Sequence, residues 1–179
     1  MQSVGGYRRI RTLAVEESGE VFLARAEGSS DPPVVVRLVD DDRAEAEVAA
    51  TTAVASEHVV ELLDLFTAPD DRTALVFPRL PGGSLAQLLE RRGRLSAGEA
   101  TTILVGVARG LAALHAAGRT HGSLASRRVH FAEDGTPLLT GLGRSEPGDP
   151  TGEAADRVAL AAMAAEVLAR TDGGAAVAG

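Results

Sequence analysis

Short apolar runs separated by turn residues fill the first 80 positions, a pattern typical of β-strands. Residues 7–26 predict a hairpin, and residues 34–39 predict a buried strand. We expect a helix over residues 40–55, because its first residues are acidic and suit the positive end of a helix. Two further strands are predicted at residues 60–66 and 73–77. This part of the chain therefore predicts an antiparallel sheet with one helix.

Helical spacing of apolar residues begins after the Pro- and Gly-rich stretch at residues 78–83. A short amphipathic helix is predicted over residues 84–92, and a long helix over residues 97–117. A capping box formed by Ser96 and Glu99 opens the long helix. Its apolar stripe consists of Ile103, Val107, Leu111 and Leu114. A last helix is predicted over residues 156–171, where Asp156 is suited to an N-terminal cap.

A second hairpin is predicted between the last two helices. Residues 129–131 and 137–140 are short apolar runs, and Asp134-Gly135 between them is a strong turn signal. A polar loop at residues 122–128 precedes the first strand, and Gly141-Leu142-Gly143 follows the second. Long helix, polar loop, hairpin and glycine step form the most informative stretch of the sequence.

This stretch resembles the eukaryotic-type Ser/Thr protein kinases of bacteria. The family's catalytic loop, H-R-D-L-x-x-x-N, falls on residues 121–128, and its metal-binding D-F-G turn falls on residues 141–143. The resemblance implies an α+β, two-lobed, protein-kinase-like fold. It implies an N-lobe with an antiparallel sheet and one helix at residues 1–80, and a shortened, mainly helical C-lobe at residues 81–171. Residues 172–179 would form a flexible tail.

Residues that the family uses for phosphoryl transfer are replaced in this chain. Ser123 stands at the catalytic Asp and Ala125 at the catalytic-loop Lys. Arg128 stands at the metal-holding Asn, and Gly141 at the metal-holding Asp. All 18 basic residues are Arg, so no Lys is available for any role. The resemblance therefore implies a degenerate family member, a pseudokinase, with no catalytic residue and no metal site.

The family's Gly-rich loop has one match here. With Val21 set on the motif's Val, its three glycines fall on Ala14, Glu16 and Gly19, so only the third is kept. Glu16 would bring a carboxylate towards the phosphates, which would repel them. An ordinary hairpin turn accounts for Gly19 equally well.

Other matches leave a nucleotide site open as an alternative. Arg37 replaces the family's strand Lys and Glu47 matches its helix Glu, which implies an ion pair, although a solvated helix face also accounts for Glu47. The backbone N–H of Leu80 would face adenine in the hinge, where Phe77 would narrow the pocket. The hinge stretch also fits a linker with no ligand. We therefore expect no cofactor, with ATP bound without Mg²⁺ through Leu80, Arg37 and Arg128 as the alternative.

Composition narrows the partners and the location. A net charge of −7 argues against nucleic acid and anionic membranes. The absence of Cys excludes disulfides, and four scattered His disfavour a metal site. The sequence shows no signal peptide, and no apolar run approaches the ~20 residues that span a bilayer, so we expect a cytoplasmic protein.

Two classes of function follow from these observations. The first is a regulatory or scaffold module in signalling that binds a protein partner, with an active kinase and a second copy of the chain as candidates. A shortened C-lobe would leave the Ala-rich last helix partly uncovered for such a partner. The second class is a nucleotide sensor, or a Ser/Thr kinase with residual ATP-dependent phosphotransfer. A gene product without a selected role is a third interpretation.

The resemblance also implies a structural role for Asp156, which the family would use to tie the last helix to the catalytic-loop backbone.

Overall fold

The computed structural model describes residues 3–16, 19–142 and 150–171. Its strands are β1 (Ser3–Val4), β2 (Tyr7–Glu16), β3 (Gly19–Ala26), β4 (Val34–Val39), β5 (Asp64–Thr67), β6 (Thr73–Pro78), β7 (Val129–Phe131) and β8 (Pro137–Leu139). Its α-helices are α1 (Asp41–Thr52), α2 (Leu85–Arg92), α3 (Ala97–Ala116) and α4 (Pro150–Ala169). A single 3-10 turn, Ser126–Arg128, precedes β7. The predicted tail and Gly143 lie outside the described residues.

Six strands form one antiparallel sheet in the order β1-β2-β3-β4-β6-β5. The sheet curls, so that the Tyr7 ring of β2 stacks on Phe66 of β5 with ring centroids 5.7 Å apart. The Tyr7 hydroxyl also donates a hydrogen bond to Asp64 at 3.0 Å. One cluster of buried apolar side chains from the sheet is centred on Phe22. A second cluster packs between the sheet and α1. The predicted antiparallel sheet with one helix is confirmed.

The C-lobe core is built around α3. The predicted stripe of α3 is buried with residues of α2, the β7–β8 hairpin and α4. The predicted capping box of Ser96 on α3 is formed, and Ser84 forms a second one, which was not predicted, on α2. The hairpin joins the hinge through the Phe131 N–H, which donates to the Gly83 carbonyl at 3.0 Å. The α+β fold with an antiparallel N-lobe and a mainly helical C-lobe therefore agrees with the sequence-based expectation.

Three predicted boundaries are wrong. The strand predicted at residues 60–66 begins only at Asp64, because Val60 donates its N–H to the Leu139 carbonyl of β8 instead of to the sheet. Helix α1 ends at Thr52 rather than near residue 55. Helix α4 begins at Pro150, so Asp156 lies in its second turn and is not an N-terminal cap.

Helix α3 also corrects the expectation about apolar runs. Within the described residues, α3 is the one helix that is long and apolar enough to cross a membrane. Core helices share these two properties, and Leu111 and Leu114 of α3 are buried in the C-lobe core. Length and composition are thus weak evidence for a membrane span here.

Candidate functional site

Arg37 and Glu47 form the predicted ion pair between strand β4 and helix α1. The Arg37 Nη1 atom lies 2.8 and 2.7 Å from the two carboxylate oxygens of Glu47. Their side chains are 12% and 4% exposed, so the pair is largely shielded from water. A solvated helix face is therefore the wrong interpretation of Glu47. The pair holds α1 against the sheet whether or not a nucleotide binds.

Gly19 is required by packing within the sheet. Its φ of +128° favours glycine, and a Cβ at this position would overlap the carbonyl oxygen of Leu38. Val21 lies two residues further along β3 and is paired with Arg37 of β4. The strand geometry therefore explains Gly19 without any ligand. The Glu16 side chain lies outside the described part of the chain.

Leu80 follows strand β6 in the hinge. Its side chain packs against the cluster of buried residues between the sheet and α1, which includes Phe77, itself only 8% exposed. The Leu80 carbonyl accepts a hydrogen bond from the Gly83 N–H at 3.4 Å. The contact of its N–H with adenine stays a prediction.

Asp156 fixes the backbone at the start of the catalytic-loop segment. Its carboxylate accepts hydrogen bonds from the N–H of His121 at 2.7 Å and of Gly122 at 2.9 Å. The Nε2 atom of His115, on the last turn of α3, lies 3.0 Å from Asp156 Oδ2. Asp156 is only 1% exposed, so one buried carboxylate joins α4, α3 and the loop. This is the structural role that the resemblance implies for it.

The replaced positions come together around Arg128. The Thr140 N–H and hydroxyl both donate to the Arg128 carbonyl, at 2.9 and 3.1 Å, and so hold Arg128 beside Gly141. A Cβ at Gly141 would lie 2.6 Å from Arg128 Nη1 and 3.0 Å from its Cζ. The Ser123 hydroxyl lies 3.5 Å from the Gly141 carbonyl, and the Ala125 carbonyl accepts the Arg128 N–H at 2.8 Å. A guanidinium therefore packs directly on the glycine that replaces the family's metal-holding Asp.

Burial lowers the pKa of two histidines near Arg128. Burial lowers the pKa of His121 to about 4, although the nearby Asp156 carboxylate opposes the shift. Burial, and then the charge of Arg128, lower the pKa of His130, whose Nδ1 lies 3.1 Å from the Thr140 hydroxyl. Sequence reasoning missed His130 and His115, because each meets its partner through a contact distant in the chain. No spacing signal in the sequence would have found them.

The residues that align with the family's two metal-holding positions do not fit Mg²⁺. This ion is held by carboxylates and phosphate oxygens, whereas the two metal-holding positions carry a cation, Arg128, and a glycine, Gly141. Within residues 3–16, 19–142 and 150–171, no three His, Asp or Glu side chains cluster closely enough to hold a metal ion. No step of a metal-dependent reaction can therefore be assigned to this set of residues.

The contact between Arg128 and Gly141 predicts a specific mutational pattern. Gly141→Ala should lower the free energy of unfolding by about 1–3 kcal/mol, because φ is +71° and the new methyl group meets the guanidinium. Arg128→Ala in the same chain should recover the part due to the contact and leave the part due to φ. Urea denaturation of the two single variants and the double variant measures both parts. Additive effects would show that the side chains are not in contact.

Comparison with known proteins identifies the class. The model of the protein kinase domain family matches residues 11–177, so this chain belongs to the protein kinase domain family. It is 30% identical over 179 residues to the probable serine/threonine-protein kinase PkwA of Thermomonospora curvata, covering 95% of this chain and 24% of that protein. It is also 33% identical over 150 residues to the serine/threonine-protein kinase PkaB of Streptomyces coelicolor, covering 79% of this chain and 34% of that protein. The chain thus spans a quarter to a third of the length of these relatives, and the family predicted from the sequence is confirmed.

Proposed function

We propose that this protein-kinase domain is catalytically inactive and acts as a regulatory or scaffold module that binds another protein. The observation that carries the proposal is the packing of the Arg128 guanidinium on Gly141. In active family members these two positions hold the metal ions that bridge and neutralise the phosphates. Here the same two positions present a positive charge and no carboxylate.

Loss of the remaining reactive groups supports the same proposal. Phosphoryl transfer depends on positioning and on electrostatic stabilisation, with an Asp accepting the proton of the substrate hydroxyl. Ser123 offers a hydroxyl in place of that carboxylate, and Ala125 offers only a methyl group. Several groups that phosphoryl transfer requires are therefore missing at once, and restoring one of them would not restore the reaction.

Contacts that shape the domain are kept, in contrast to the groups that react. The Arg37–Glu47 pair joins sheet and helix, and Asp156 joins α4 to the loop. A domain that keeps its architecture and lacks its chemistry is suited to recognition by surface contacts. The partner we propose is a protein, with an active kinase or a second copy of this chain as the candidates.

A second candidate function is a nucleotide sensor that binds ATP without Mg²⁺. The guanidinium groups of Arg37 and Arg128 favour it, since Arg forms strong hydrogen bonds to phosphate oxygens. In this scheme the backbone N–H of Leu80 would donate a hydrogen bond to adenine. Residual Ser/Thr kinase activity would need the same nucleotide site and, in addition, a metal ion.

Thermal unfolding with and without millimolar ATP, each with and without Mg²⁺, separates these proposals. A ligand at a hundredfold excess over its dissociation constant adds about 2.7 kcal/mol of stability, which moves the midpoint by several degrees. The binding module predicts no shift in any condition. A shift without Mg²⁺ that disappears in Arg128→Gln, and persists in the control Arg127→Gln at the exposed neighbouring position, would establish the sensor instead. A shift that requires Mg²⁺ would contradict both.

A further inference from the structure

A groove beside the hinge is separate from the positions that replace the catalytic residues. It has a volume of ≈ 880 Å³, and of the candidate-site residues only Leu80 lines it. We call it the hinge groove and define it by the residues of its floor, Tyr7, Pro33, Leu63, Pro78, Leu80 and Leu138. The N-lobe sheet, the hinge and the β7–β8 hairpin all contribute to it. Its volume lies within the range of ~300–1,000 Å³ that is typical of binding pockets.

The lining of the hinge groove is rich in proline. Pro32 and Pro33 enter from the loop before β4, and Pro78 and Pro81 from the hinge. Proline has no backbone N–H, so these four positions offer no backbone donor to a ligand. Their fixed φ angles also limit the conformational freedom that binding would remove. Together with Tyr7, Leu63, Leu80 and Leu138, this lining suits a ligand that carries apolar groups.

The rim of the hinge groove is acidic. Four lining carboxylates, Asp31, Glu57, Glu61 and Glu133, face a single lining cation, Arg79, which gives the groove a local charge of 1 − 4 = −3. All four acidic residues are exposed. Within the part of the chain that the structure describes, no ion pair involves the carboxylates of Glu61 or Glu133. These two carboxylates are therefore available to a positively charged ligand.

We propose that the hinge groove binds an extended segment of a partner protein in which Arg or Lys side chains flank apolar ones. The basic side chains match the acidic rim, and the apolar side chains cover Tyr7 and Leu63. Charge complementarity of this kind fixes the choice of partner and accelerates encounter. The inference rests on the proposed protein-binding function, and it does not depend on catalytic inactivity.

Fluorescence anisotropy tests the proposal with a labelled nine-residue peptide that alternates Arg and Leu around a central Pro. Two matched peptides replace either every Arg by Glu or every Leu by Ser. Two protein variants separate the groove from general charge: Glu61→Arg with Glu133→Arg reverses the rim, and Glu45→Arg with Glu90→Arg reverses two exposed carboxylates that do not line the groove. The two variants change the net charge equally.

We expect the Arg-Leu peptide to bind the unaltered protein and to lose about tenfold in affinity for the rim variant, with less than about a twofold change for the control variant. Both matched peptides should bind more weakly. Equal loss in the two protein variants would overturn the proposal, since it would reflect attraction by the net charge of −7 alone. Absence of binding to the unaltered protein would also overturn it.

Hydrogen exchange of the unaltered protein keeps the test independent of whether a variant folds. Addition of the Arg-Leu peptide should slow amide exchange in residues 56–63 and 79–80, and protection confined to other segments would overturn the proposal.

Sedimentation at increasing protein concentration shows whether a second copy of this chain occupies the groove instead. A dimer that the rim variant abolishes would assign the groove to a second copy of this chain and would overturn the proposal as stated. Metal-dependent phosphotransfer would refute catalytic inactivity while leaving the peptide result unaffected.

Discussion

Asp156→Ala should lower the free energy of unfolding by about 3–5 kcal/mol. Asp156 is 1% exposed, and its carboxylate accepts hydrogen bonds from the N–H groups of His121 and Gly122. Without it, both donors lose their acceptor, and a buried donor left without a partner costs about 1–3 kcal/mol. The contact with His115 is lost as well, so α4 and α3 lose their shared attachment to the loop.

Urea denaturation measures this effect, with Asp156→Asn as a graded variant and Glu166→Ala on the same helix as the control. Asn keeps the shape and one acceptor oxygen, so its cost should be smaller, about 2 kcal/mol. The control should stay within about 0.5 kcal/mol of the unaltered protein. A similarly small effect of Asp156→Ala would mean that the loop backbone does not depend on this carboxylate.

Arg37→Met should have a comparable effect, about 3–5 kcal/mol, because it leaves the Glu47 carboxylate buried without its cation. Double replacement by Arg37→Met and Glu47→Leu should recover most of this loss, since a buried ion pair often contributes no more than apolar residues of similar size. The large effect of the single variant is thus a penalty for breaking the pair and does not measure its net contribution.

A double-mutant cycle under urea denaturation tests this expectation, with Arg43→Met at an exposed position of α1 as the control. The control should change stability by less than about 0.5 kcal/mol. If the double variant is destabilised by the sum of the two single variants, the pair carries no coupling energy. That result would remove the structural explanation for the presence of Arg37 in this chain.

Local signals in the sequence predicted much of the fold because they act over short distances. The predicted capping box at Ser96 needs only residues three positions apart, and the predicted β7–β8 hairpin needs only its turn. The contact of Arg37 with Glu47 was predicted in a different way, from the alignment of a strand and a helix with the kinase family. Such an alignment carries information about contacts that periodicity alone does not contain.

Wrong boundaries arose where competing local signals or distant contacts decided the structure. Pro150 and Gly152 indicate a turn, yet Pro fits the first turn of a helix, where its missing N–H is not needed, and α4 begins there. Val60 belongs by pattern to a strand but bonds to Leu139, a residue far along the chain. The packing of Arg128 on Gly141 depends on side-chain direction across two segments, which no sequence pattern specifies.

Transfer of labelled γ-phosphate from ATP, in the presence of Mg²⁺ or Mn²⁺, tests the central claim most directly. Acceptors are the protein itself and a generic substrate such as casein, and the heat-denatured protein sets the background. We predict no incorporation above that background, because the positions of Arg128 and Gly141 hold no metal ligand. Metal-dependent incorporation that disappears in Arg128→Gln or Ser123→Ala and persists in Arg127→Gln would contradict the claim and show an active kinase.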